Sequence, residues 1–148
     1  MFDDIYEEFL EELKDNYKSF TIRYEGKGIS LNDFYSQQHW SVRDKIVKKY
    51  KPMFRDLLTK ELGSLELGQA ERLDEFVLIL EFWSRHDTDN IVGLEKVFMD
   101  ALKQNDRKGK EQDGWVIDDH KKYYKFFGIK PNDSFKNNEF VFHLIKLK

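Results

Sequence analysis

The sequence predicts an α+β domain, a single mixed β-sheet flanked by helices, and three observations carry that expectation. Apolar residues recur at helical spacing in three separate segments, runs rich in aromatic and β-branched residues have strand length, and the two kinds of segment alternate before a strand-rich C-terminal third. The 148 residues suit one domain. Thirteen Phe, seven Tyr and three Trp supply a core although 36 % of the residues are charged.

Taken in order, Phe2, Ile5, Tyr6, Phe9, Leu10, Leu13 and Tyr17 share one helical face, so residues 2–17 read as an amphipathic helix that must pack on something. Its outer face carries Asp3, Asp4, Glu7, Glu8, Glu11, Glu12 and Asp15 against Lys14 alone, and it is read as an extension, residues 1–18, ahead of a domain over 19–148. Residues 20–24 alternate like a strand, closed by Gly26 and Gly28. A polar stretch around 30–35 leads to a long helix from about 41 to 62, interrupted or kinked at Pro52 and ended by Gly63 and Gly68. Residues 72–84 are apolar on both faces, the mark of a central strand. A helix follows from about 91 to 103, with Leu94, Val97, Phe98, Ala101 and Leu102 inward and Asp89 or Asn90 as its cap. Residues 103–113 form a polar, flexible connection, 114–117 a short strand ending in Asp118-Asp119, and 121–129 with 138–147 a final hairpin turning at 131–134.

Composition excludes whole classes of function. Without cysteine there are no disulfides, no thiolate zinc sites and no cysteine nucleophile. The longest apolar run, 76–80, falls far short of the roughly 18 residues a membrane helix needs, and the N-terminus shows no leader pattern, so the expectation is a cytoplasmic protein with no membrane partner. His39, His86, His120 and His143 are scattered without zinc-site spacing, and neither a nucleophile elbow nor a glycine-rich phosphate loop is present. The net charge of −3 is unevenly spread: residues 1–16 carry −6 and the remainder +3. Within the remainder, Arg43, Lys45, Lys48, Lys49, Lys51, Arg55 and Lys60 stand against Asp44 and Asp56. That strip either faces phosphates or is an ordinary solvated helix face.

The chemistry lies with the aspartates. Asp87 and Asp89 follow the central strand, and residues at i and i+2 of an extended segment point the same way, about 7 Å apart. Asp118 and Asp119 end the next expected strand; if it pairs beside the first, one of them joins the pair. Clustered carboxylates repel unless a hard cation neutralises them, and all-oxygen ligation favours Mg²⁺ or Mn²⁺. The plainer reading of each motif, a turn with a helix cap and a strand exit, stays open. An EF-hand is excluded, because no glycine or glutamate falls at the required spacing.

Residues 87–102, Asp-Thr-Asp-Asn-Ile-Val-Gly-Leu-Glu-Lys-Val-Phe-Met-Asp-Ala-Leu, followed by Gly-Trp-Val-Ile-Asp-Asp at 114–119, resemble the signature of RusA-type Holliday junction resolvases. That pattern runs Asp-x-Asp-Asn, a Lys on the following helix, Asp-(Ala/Gly)-Leu, then Gly, hydrophobics and Asp-Asp. The stretch from Asn32 to His39-Trp40-Ser41-Val42-Arg43 is similar to the family's N-terminal segment. Together the similarities span most of residues 20–147.

The resemblance implies a RusA-like fold and a homodimeric, Mg²⁺-dependent endonuclease, with Mn²⁺ as substitute. Such an enzyme nicks paired strands of a four-way DNA junction in recombination and repair, and is commonly encoded by phages or prophages. It assigns Asp87, Asp89 and Asp119 as metal ligands, Asp118 and Asn90 as supporting positions with Asp118 a further candidate ligand, and Lys96 as the helix lysine. Lys96 follows Asn90 by six residues, as in a longer variant of the pattern, and also stands i,i+4 to Asp100 as a surface ion pair would. The long connection brings Lys103, Arg107, Lys108 and Lys110 beside the presumed site, where with Arg43, Lys45, Lys48 and Lys49 they are expected to contact DNA. The acidic helix is an addition to the pattern and is expected to lie away from DNA. An alternative from another class is a protein of the same fold that binds branched DNA or a replication partner without cutting, docking through that helix.

Overall fold

The computed structural model describes residues 2–26, 40–84, 91–104 and 113–148, with side chains of the first helix described from residue 5 and of the second from residue 44. Three helices, α1 (Phe2–Asn16), α2 (Trp40–Leu62) and α3 (Val92–Leu102), accompany four strands, β1 (Lys18–Glu25), β2 (Phe76–Trp83), β3 (Tyr124–Pro131) and β4 (Glu139–Lys146). The α+β expectation holds: a single small domain is built on one four-stranded mixed sheet.

The strand order is β1-β4-β2-β3. β4 runs antiparallel to β1, from Lys18 opposite Lys146 to Glu25 opposite Glu139, and antiparallel to β2 on its other side. β2 pairs in parallel with β3, with an irregularity between Phe76 and Val77. The last two strands are therefore not a hairpin: β2 lies between them. Asn132 N–H donates to the Phe82 carbonyl at 2.7 Å and Asn138 N–H to the Trp83 carbonyl at 2.7 Å, so the β3–β4 connection is pinned across the end of β2. Asn138 adopts φ 61°, a left-handed conformation that Asn tolerates well. Pro131 closes β3 on the sheet edge, where its missing N–H costs no ladder bond.

Two further expectations are corrected. β2 begins only at Phe76, because residues 72–75 bond elsewhere: Leu73 N–H reaches the Trp115 carbonyl at 3.0 Å and Asp74 N–H that of Lys148 at 2.8 Å. Residues 114–117 form no strand of the sheet, and their one ladder contact is an isolated parallel bridge between Val116 and Lys103. By contrast α2 runs through Pro52 without interruption. Val47, Tyr50, Phe54, Leu58 and Leu62 are all buried along one stripe while Pro52 is exposed, so tertiary packing carries the helix past its missing hydrogen bond.

α2 and α3 cover one face of the sheet. There Phe98 stacks on Phe142 with ring centroids 4.0 Å apart and meets Phe54 edge-on at 5.4 Å, and Ile22, Leu78, Leu80 and Leu144 complete the layer. α1 lies on the opposite face, where Leu10 contacts the much smaller group Val77, Ile79 and Ile145. The expected apolar stripe of α1 is only partly used: Ile5, Phe9 and Tyr17 remain exposed, with Phe9 edge-on to the exposed Phe126 ring of β3. Polar groups fill the space instead. His143 Nε2 donates to Glu81 Oε1 at 2.7 Å, Asn132 Nδ2 donates to Glu81 Oε2 at 3.0 Å, and Lys130 Nζ lies 4.9 Å from the centre of the Tyr6 ring. Among the described residues, no helix is long and apolar enough to cross a membrane.

Candidate functional site

The segment carrying Asp118 and Asp119 is positioned by the end of α3. Trp115 N–H donates to the Leu102 carbonyl at 2.9 Å and Gln104 N–H to the Val116 carbonyl at 3.0 Å. The Trp115 ring is buried, its Nε1–H donating to the Gly63 carbonyl at 3.1 Å. Arg55 packs over that ring at 5.2 Å and donates to the carbonyls of Ala101 and Asp113 at 2.8 and 2.9 Å, while Arg72 donates to that of Gly114. Gly114 is required here, since a Cβ would collide with the Lys103 backbone. These bonds fix the segment against α3 without a strand ladder, which is why a Gly-Trp-Val-Ile run that reads as a strand is not one.

Beyond Ile117 the chain turns. Asp119 N–H donates to Asp118 Oδ1 at 2.8 Å, and the N–H groups of Tyr123 and Tyr124 both reach the His120 carbonyl at 2.9 Å. Asp118 is half-buried and Asp119 exposed. Lys103 Nζ lies 3.7 Å from Asp119 Oδ2. Burial pushes the Asp118 carboxyl up, but hydrogen bonds from the Asp119 side chain and backbone, with the charges of Lys103 and His120, hold it below the usual carboxylate range.

Glu95, on α3, completes this cluster. It is only 4 % exposed, and Tyr124 donates its phenolic hydrogen to Glu95 Oε1 at 3.0 Å. Burial raises its carboxyl above the ordinary value, Lys96 and the Tyr124 hydrogen bond oppose the rise, and the charge of Asp119 adds to it. The same pair pushes the Tyr124 phenol up, through burial first and the Glu95 charge second.

Of the expected metal ligands, Asp118 and Asp119 are thus brought to the α3 face. Asp87, Asp89 and the capping or supporting Asn90 lie outside the described residues, and the N-cap position of α3 falls on Ile91, which makes no side-chain cap bond. Among the described residues alone, no three acidic or histidine side chains converge as a metal site. Lys96 is exposed on α3. Its expected partner Asp100 is buried and meets Lys51 of α2 instead, at 3.5 Å.

The basic strip divides in two. Lys45, Lys48 and Lys49 are exposed on the outer face of α2, whereas Lys51 and Arg55 turn inward to Asp100 and Trp115. Arg43 belongs to α2 but its side chain is outside the described residues, as are Arg107, Lys108 and Lys110. Sequence reasoning missed Glu95 and Tyr124. A signal for Glu95 existed: Ile91, Glu95, Phe98 and Leu102 fall at i, i+4, i+7 and i+11, which sets a carboxylate on the buried stripe.

Comparisons with known proteins give no match: no family model, no curated protein and no solved structure is similar to this chain.

Proposed function

We propose that the chain is a metal-dependent, structure-selective DNA endonuclease of the RusA type, acting as a homodimer on four-way junctions or related branched DNA, in the cytoplasm and of phage or prophage origin. The observation that carries this reading is the fastening of the Asp118–Asp119 turn onto α3, the helix that directly follows Asp87 and Asp89 in the chain. In the sequence Asp87 and Asp89 precede α3, and the segment leading to Asp118 and Asp119 is bonded to the C-terminal end of the same helix, which supports the reading. The donor set of this reading, Asp87, Asp89, Asp118 and Asp119, is all oxygen, which suits a hard divalent cation.

In this reading Asp87, Asp89 and Asp119 hold Mg²⁺ or Mn²⁺, with Asp118 beside them. When bound, such a cation lowers the pKa of a water and offsets charge that builds on the phosphate. Asp118 orients Asp119 through its bond to the Asp119 N–H, and Lys103 restrains the Asp119 carboxylate. Lys96, exposed one residue after Glu95, steadies a phosphate oxygen. Lys45, Lys48 and Lys49 track the DNA backbone as point charges.

The test is cleavage of a labelled four-way junction with Mg²⁺, Mn²⁺ or EDTA, beside duplex, flap and single-strand controls. Metal-requiring, paired nicks that disappear in Asp89→Asn and Asp119→Asn, with junction binding retained, are the expected result. Full cleavage by either variant removes the site assignment. Tight junction binding without cleavage under either metal favours the non-catalytic reading, to which the exposed Ile5, Phe9 and Tyr17 of α1 lend an available docking surface.

A further inference from the structure

The turn bearing Asp118 and Asp119 is anchored at both ends in different ways. Upstream, the Val116–Lys103 bridge ties it to the C-terminal end of α3. Downstream, the chain enters β3 at Tyr124, whose ring stacks on Phe76 at 5.0 Å with planes 10° apart and whose hydroxyl reaches Glu95, four residues past Ile91. Because the N–H groups of Tyr123 and Tyr124 share the His120 carbonyl, any displacement of Tyr124 is passed to the turn.

Glu95 is a costly choice at its position. The stripe it occupies is otherwise apolar, and a leucine there would bury surface without desolvating a carboxylate. What a carboxylate adds is a directional bond to a rigid phenol. We infer that Glu95 and Tyr124 are a positioning pair that fixes the height of the Asp118–Asp119 turn against the first turns of α3. Carboxylates that share a cation must be held to within about half an ångström, and a turn lacking a strand ladder does not achieve that alone.

The test compares Tyr124→Phe, Glu95→Leu and Glu95→Gln in the full chain. Gln keeps an oxygen that accepts the phenolic hydrogen; the other two variants abolish the bond. The first readout is amide exchange at Asp119, Lys122, Tyr123 and Tyr124, which is independent of any activity. The second is Mn²⁺ binding followed by its paramagnetic signal, which rests on the nuclease reading.

Tyr124→Phe and Glu95→Leu are expected to speed exchange in the turn at least tenfold and to weaken Mn²⁺ binding at least fivefold, with Glu95→Gln within twofold of the wild type in both. Unchanged exchange in Tyr124→Phe overturns the inference. So does a Glu95→Gln variant as impaired as Glu95→Leu, which would make the charge and not the bond the active element. If the wild type neither binds Mn²⁺ nor nicks DNA, the nuclease reading falls while the exchange comparison still decides the positioning pair.

Discussion

The two faces of the sheet solve the same problem with different chemistry. Under α2 and α3 the contact is almost wholly aromatic and aliphatic, and Glu95, buried there, is held by a neutral phenol with Asp119 nearby. Under α1 the buried apolar group shrinks to Leu10, Val77, Ile79 and Ile145, and Glu81, part-buried beside it, is held by His143 and Asn132. The two carboxyls consequently move in opposite directions. Glu95 is raised, chiefly by burial; Glu81 is lowered, chiefly by the His143 hydrogen bond, which with Asn132, Lys130 and the His143 charge outweighs its burial. A buried carboxylate thus marks neither stability nor function by itself. The partners decide.

The contrast breaks most sharply through packing. Phe98→Ala should cost about 3–5 kcal/mol in urea unfolding, because the ring is wholly buried between Phe54 and Phe142. Leu10→Ala should cost about 2 kcal/mol, at the low end for a leucine, since α1 covers its face only partly. Equal costs would show that the two faces are equally load-sharing and the comparison false.

Next in size come the two glutamates, compared without added metal. Glu81→Gln should cost about 1–3 kcal/mol at neutral pH by disrupting a part-buried charged hydrogen bond. Because the native Glu81 carboxyl is lowered, its contribution is present above the ordinary carboxylate value and is lost as pH falls through the native value, so variant and wild type should converge in acid. Glu95→Gln should do the reverse. A carboxyl raised on folding opposes stability once pH passes its unfolded value, so this variant should be the more stable at neutral pH and equal to the wild type in acid. Thermal melts from neutral to acid pH check both signs.

The smallest effect belongs to the surface. Replacing Lys45, Lys48 and Lys49 together by Ala should change stability by no more than about 0.5 kcal/mol, since all three are exposed. In the nuclease reading it should also lower the salt slope of DNA binding by about 2–3. An unchanged slope would return the strip to an ordinary solvated face.

Much of this architecture is legible in the residue pattern. The helical spacing that defines all three helices, and the two-faced apolar run that marks β2 as central, depend only on local periodicity. Pairing does not. A short connection after Pro131 fits a hairpin as well as it fits a strap across the end of β2, yet a clue was present, since Phe140, Phe142 and Leu144 alternate with Val141 and Ile145. β4 is therefore apolar on both faces like β2, and needs a neighbour on either side. The Asp118–Asp119 turn was legible as two adjacent carboxylates after an apolar run but not in its geometry: what seats it is Arg55 and Trp115, long-range contacts with no periodic signal. Glu95 was hidden for the opposite reason, because its environment is set by Tyr124, 29 residues away.

The insertion of β4 between β1 and β2 has a consequence for how the chain reaches its fold. Lys18 meets Lys146 and Glu25 meets Glu139, so β1 stays without a strand partner until a segment more than a hundred residues downstream arrives. β2 in turn must be enclosed between two strands that both follow it. Closure entropy is spent before these contacts repay it, which slows folding and makes it all-or-none. A fragment ending before Glu139 retains every helix and three of the four strands, but it has lost the one strand to which both β1 and β2 are joined.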